Sequence, residues 1–165
     1  MPKPLEFKIN SESGVIDRIW AKREAGELVG HYYVMFLGLR TFDTPNLLER
    51  VKKGLSYSTW ERFERNTALP KDTIRTFVQI SQRTLNRRKE AGRLLPDESD
   101  RLIRASRIFV ATLELFEGDA ALSRQWLTSS QSALGGSTPL DYATTEIGAK
   151  EVENLIGRLE YGIPS

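Results

Sequence analysis

The chain has 165 residues, 39% of them hydrophobic and 28% charged, with 24 Lys/Arg against 22 Asp/Glu. This length holds one compact domain or two small ones sharing a core. The absence of cysteine excludes disulfides, thiolate catalysis and Cys-ligated zinc, and a single histidine, His31, argues against a His-based metal site or catalytic triad. No run of 18 apolar residues suggests a membrane span, and Met1-Pro2-Lys3-Pro4-Leu5 lacks the apolar core of a signal peptide, so the expected location is cytoplasmic. The net charge of +2 is unevenly spread: residues 71–118 carry 10 basic against 7 acidic side chains, and residues 119–165 carry 3 against 6. A basic middle followed by an acidic end fits either two surfaces with different partners or uneven solvation of helix faces.

Residues 1–43 form an N-terminal extension with weak punctuation. Leu5-Glu6-Phe7-Lys8-Ile9 alternates like a short strand or an extended arm. Helices are expected over 15–24 and 27–38, the second rich in Tyr32, Tyr33, Val34 and Phe36. From residue 44 the signals sharpen. Thr44 serves as an N-cap with Pro45 at the first helical position, leading into Leu47, Leu48 and Val51, and Gly54 ends that helix. Ser58-x-x-Glu61 reads as a capping box, with Trp60 and Phe63 facing inward. Leu69-Pro70 starts a helix whose apolar face is Ile74, Phe77 and Val78. Ser81 caps the next, over 82–91, and Gly92 closes it.

Pro96 opens a longer helix with Asp97, Glu98 and Asp100 at its positive end. Leu102, Ile103, Ser106, Phe109, Val110, Leu113 and Phe116 follow helical spacing along it. Three shorter helices finish the chain. Trp126 and Leu127 are expected to pack beneath a Gly135-Gly136 turn, and Tyr142, Ile147 and Val152 to be core. The last helix, about 148–161, carries the stripe Val152, Leu155, Ile156 and Leu159. The fold class is all-α.

Phe77-Val78-Gln79-Ile80-Ser81, a connection of only three or four residues, joins the helix begun at Leu69-Pro70 to the one opening at Gln82, which suits a helix-turn-helix. Its second helix contains four basic residues and one acid. At about 100° per residue, Gln82, Arg83, Asn86 and Arg87 share an exposed face while Leu85 turns inward. Arginine pairs with guanine, and Gln or Asn with adenine, along the major-groove edge; Arg88, Lys89 and Arg93 suit phosphates. Lys71, Arg75, Arg104 and Arg107 add flanking charge. Gln79 occupies the position where such turns usually place glycine, at a cost of roughly 1 kcal/mol.

The Gly135-Gly136 pair lacks the spacing of a phosphate-binding loop. Trp126-Leu127, Ala133-Leu134-Gly135-Gly136-Ser137-Thr138-Pro139-Leu140-Asp141, Gly148-Ala149-Lys150-Glu151-Val152-Glu153 and Gly157-Arg158-Leu159-Glu160-Tyr161-Gly162-Ile163 together resemble the C-terminal toxin-binding domain of Xre/MbcA/ParS-type antitoxins, the partners of RES-domain toxins. Thr84-Leu85-Asn86-Arg87-Arg88-Lys89 and Ser99-Asp100-Arg101-Leu102 extend the resemblance to roughly residues 44–165. It implies an Xre-like helix-turn-helix domain over 44–118 that binds operator DNA and represses its own operon. It further implies a toxin-binding domain over 119–165, whose end approaches the toxin's active site and blocks entry of NAD. Arg158, Glu160, Tyr161, Gly162 and Ile163 are the residues that would insert, Tyr and Arg being typical interface anchors.

No cofactor and no chemistry of its own are expected. Apolar stripes on helices 45–53 and 97–117 favour a homodimer that presents two recognition helices to a palindromic operator. The competing reading is a stand-alone helix-turn-helix repressor whose C-terminal helices only dimerise it. An enzyme is a poorer fit, because the carboxylates fall on solvated helix faces at charge-pair spacing.

Overall fold

A computed structural model describes residues 14–162, which leaves the expected strand at Leu5–Ile9, and Ile163, outside the described residues. The regular elements are all helical: α1 (Val15–Glu24), a 3-10 helix (Tyr32–Leu37), α2 (Thr44–Lys53), α3 (Tyr57–Thr67), α4 (Lys71–Val78), α5 (Gln82–Ala91), α6 (Pro96–Leu115), α7 (Ala120–Leu127), a second 3-10 turn (Ser132–Leu134), α8 (Pro139–Tyr142) and α9 (Glu146–Glu160).

α6 is the axis of the fold. Leu102, Ile108, Phe109, Val110 and Leu113 are buried on several sides at once, and α2, α3, α4, α7, α9 and the first 3-10 helix all pack on it. A helix surrounded this way must hide its polar residues without orphaning them. Ser106 and Thr112 do so by donating to the carbonyls of Leu102 (3.1 Å) and Ile108 (2.8 Å) one turn back. The apolar stripe of α6 is therefore consumed within the chain, and it supplies no argument for a dimer. On α2, Leu47 is buried while Leu48 stays half exposed.

Several local expectations shift. The segment 27–38 is helical only over Tyr32–Leu37, as a 3-10 helix; its four buried residues Val34, Met35, Phe36 and Leu37 are consecutive, which the narrow 3-10 geometry accommodates in a short piece. Asp43, not Thr44, caps α2, its carboxylate accepting from Asn46 N–H at 3.1 Å, while the Thr44 hydroxyl is bonded to His31 Nε2 at 2.8 Å. Helix α3 starts after Ser56 with no side-chain cap, so Ser58 and Glu61 form no capping box; the Ser58 hydroxyl bonds that of Ser56 instead. Ile147, Tyr142 and Leu159 are exposed rather than core. In α9 the small residues take the inner positions: a Cβ on Gly148 would lie 1.7 Å from the Tyr142 carbonyl oxygen, so glycine lets α9 close onto α8 and turns Ile147 outward.

Candidate functional site

The helix-turn-helix is built from α4 and α5. Gln79 at its turn is left-handed, φ 61° and ψ 46°, as its position in the sequence implied. Arg101 on α6 donates from Nε to the Val78 carbonyl at 2.9 Å and from its guanidinium to the Gln79 carbonyl at 3.3 Å, so a side chain that the sequence gives no such role clamps the turn.

α5 rests on very little apolar contact, with Leu85 its one buried residue. Its other supports are polar. The Ser81 hydroxyl accepts from Thr84 N–H at 3.2 Å, Gly92 ends the helix in the left-handed region, and Arg88 forms a bidentate pair with Glu98, 2.7 Å from Nε and 3.0 Å from the terminal nitrogen. The Glu98 side chain is only 5% exposed and also accepts from Leu95 N–H at 2.8 Å, at the start of α6. Arg88 is thus a structural strut between α5 and α6. Arg93 is similarly engaged, donating to the carbonyl of Gly54 at 2.6 Å and of Lys53 at 3.3 Å. That junction is tight: a Cβ on Gly54 would sit 2.1 Å from the Leu94 carbonyl oxygen.

The remaining candidates stay on the surface. Gln82, Arg83, Asn86, Arg87 and Lys89 are exposed. Gln82 donates to Asn86 Oδ1 at 2.8 Å and accepts from Arg75 at 3.1 Å, which aligns the amides along the helix; Arg75 is itself paired with Asp72. Of the flanking cations, Arg104 and Arg107 turn away from α5. Arg104 donates to the Thr144 carbonyl at 3.0 Å, and Arg107 bridges Glu146 (2.9 Å) and Glu153 (3.0 Å) on α9.

At the other end, α9 closes at Tyr161, which is 81% exposed, and Gly162 follows with φ 67°. Arg158 is half-buried, and its Nε is buried without a hydrogen-bond partner among the described residues. Glu160 is exposed, with the charges of Glu114 and Arg23 near enough to act on it. Burial, then the nearby Glu114 carboxylate, raise its pKa above the ordinary 4.5, against a smaller opposing pull from Arg23. Glu114 is in turn hydrogen-bonded by Tyr32, whose own pKa is raised, by burial first and by that bond second. The last turn of α9 therefore shares an electrostatic neighbourhood with Glu114, Tyr32 and Arg23 that the sequence does not show.

Two family models account for most of this architecture. The Antitoxin Xre-like helix-turn-helix domain matches residues 47–107, and the Antitoxin Xre/MbcA/ParS C-terminal toxin-binding domain matches residues 111–162. A protein of Yersinia enterocolitica described as "Antitoxin Xre" is 36% identical over 118 residues, 71% of this chain and 80% of that one. Another of that description, from Photorhabdus laumondii, is 32% identical over 130 residues, 78% of this chain and 88% of that one. The chain belongs to the Xre family of antitoxins. A third antitoxin of that description, from Pseudomonas putida, shares 36% identity over 84 residues, 50% of this chain and 52% of its own length. In this antitoxin the two matched regions meet inside α6, which begins in one and ends in the other.

Proposed function

We propose that this antitoxin binds a cognate NAD-consuming RES-domain toxin through residues 119–165 and inhibits it by occluding the active site with its C-terminal end. The observation that carries this reading is the match of the toxin-binding domain to residues 111–162, which runs to the exposed aromatic at the end of α9. Tyr161 supplies a large contact area at low entropic cost, the usual property of an interface anchor. Arg158, Glu160, Gly162 and Ile163 complete the contact end. The protein acts by binding alone, in the cytoplasm, with no cofactor.

The same protein binds operator DNA and represses its own operon. α5 enters the major groove, with Gln82, Arg83, Asn86 and Arg87 toward base edges and Lys89 toward phosphate. Arg88 and Arg93 contribute positive field while holding the helix in place. Two copies on a palindromic site would set two such helices one turn of DNA apart.

The deciding experiment is NAD consumption by the toxin mixed with residues 1–159. The truncated chain keeps Val152, Leu155 and Ile156, buried on α9, so it should stay folded and fail to block turnover. Full inhibition by 1–159 overturns occlusion by the terminus.

A further inference from the structure

Two adjoining clefts lie on the side of the molecule where the N-terminal extension meets α2 and α3. One, of about 370 Å³, is lined by Arg18, Lys22, Arg40 and Arg62 around an apolar floor that includes Phe42 and Leu39. No carboxylate lines it. The second, of about 480 Å³, shares Leu39 with the first and contains Arg50, Lys53 and Arg93, with Glu49 its one acid. Glu49 is already paired with Lys53 at 3.0 Å.

Like charges clustered in this way repel one another and set up a positive potential over the clefts, offset in part at Lys22 by Glu27 at 3.8 Å. Arg18, Arg40, Arg50 and Arg62 have no ion-pair partner among the described residues. The cations also span separate parts of the sequence. Arg18 comes from α1, Arg40 from the loop before α2, Arg62 from α3 and Arg93 from the residue after α5's closing glycine. The backbone bridge between Ser56 and Arg93 joins the segment just past α5 to the start of α3, so the joined clefts run from Arg93, beyond the end of α5, outward to the extension.

We infer that this groove is a phosphate track: the N-terminal extension, together with α3, seats the DNA backbone flanking the site read by α5. The inference rests on the proposal that α5 binds operator DNA. A polyanion with closely spaced charges fits a chain of unpaired guanidiniums better than a single anion does, because each arginine can take a separate phosphate. Arg18, Lys22 and Arg40 lie before residue 47, outside the matched helix-turn-helix domain, while Arg50, Lys53, Arg62 and Arg93 lie within it.

The test is binding of the full chain to a duplex from the region upstream of its own gene, and to an unrelated duplex, over a range of salt. Each phosphate contact contributes about 0.9 to the slope of log K against log salt. The triple variant R18Q/R40Q/R62Q should therefore bind with a slope shallower by roughly 2–3 on both duplexes, while R18K/R40K/R62K keeps the wild-type slope. Should the triple glutamine variant fail to fold, R40Q alone should lower the slope by about 1. A wild-type slope in the folded glutamine variants, with binding still abolished by R83A/R87A, overturns the track and leaves the α5 reading intact. No binding of either duplex by the wild-type chain overturns both. Loss of the toxin complex in the glutamine variant at an unchanged salt slope assigns the groove to an acidic protein face and overturns the DNA assignment.

Discussion

At the level of single side chains, the four cations of α5 and the one beyond it divide by what holds them. Arg83, Arg87 and Lys89 are exposed, whereas Arg88 is locked to the buried Glu98 and Arg93 to backbone carbonyls. Removing one member of a buried pair strands the other, which costs about 3–5 kcal/mol; with Arg88 still 16% exposed, R88A should lower stability by about 2–4 kcal/mol in urea denaturation. R83A/R87A should leave the denaturation midpoint almost unchanged and weaken operator binding by several kcal/mol, at about 1–3 per bidentate base contact, in a gel-shift titration. Unchanged affinity in that double variant moves the base contacts off α5. Gln79 offers a cleaner backbone test. Glycine tolerates its left-handed angles, so Q79G should raise stability by about 0.5–1 kcal/mol, read as a higher thermal midpoint.

Among the helices, those from α4 to α6 were legible because their punctuation is local: Ser81 before α5, Gly92 after it, and Pro96 with acids at the start of α6. Where two residues compete to cap, the sequence does not say which wins. Asp43 took the role offered to Thr44 because His31, thirteen residues upstream, engages the Thr44 hydroxyl. The 27–38 segment was misread for a related reason. Its apolar residues are continuous, so periodicity cannot define its helical extent; contact with α3 and α6 does.

The contact end was legible as residue types but not as an environment, since Glu114 and Arg23 reach Glu160 only in the folded chain. Because the folded pKa of Glu160 is raised, its protonated form is the one the fold prefers. The contribution is fully present below the ordinary value and is lost as pH rises through the raised one. At neutral pH the last turn of α9 is therefore held against the cost of partly burying the Glu160 charge, added to by the Glu114 carboxylate. E160Q should slow amide exchange in that turn at pH 7, with the difference from wild type vanishing below about pH 4.5. Equal exchange at both pH values would show that Glu160 is solvated as an ordinary surface carboxylate.

For the molecule as a whole, the two matched regions divide between residues 107 and 111, inside α6, and the packing does not divide there. α6 lies under α2, α3 and α4 along one part and under α7 and α9 along another. Arg104 and Arg107 then cross from α6 to the start of α9 with three ion pairs to Glu146 and Glu153. Composition flagged those arginines as part of a basic region and could not say that they face the acidic end, because charge sums carry no direction. A two-domain chain whose halves share one central helix cannot be dismantled piecemeal. Whatever melts or severs α6 takes away the platform of α5 and the platform of α9 in one step. On the function proposed above, loss of this one helix would end operator binding and toxin binding in a single step.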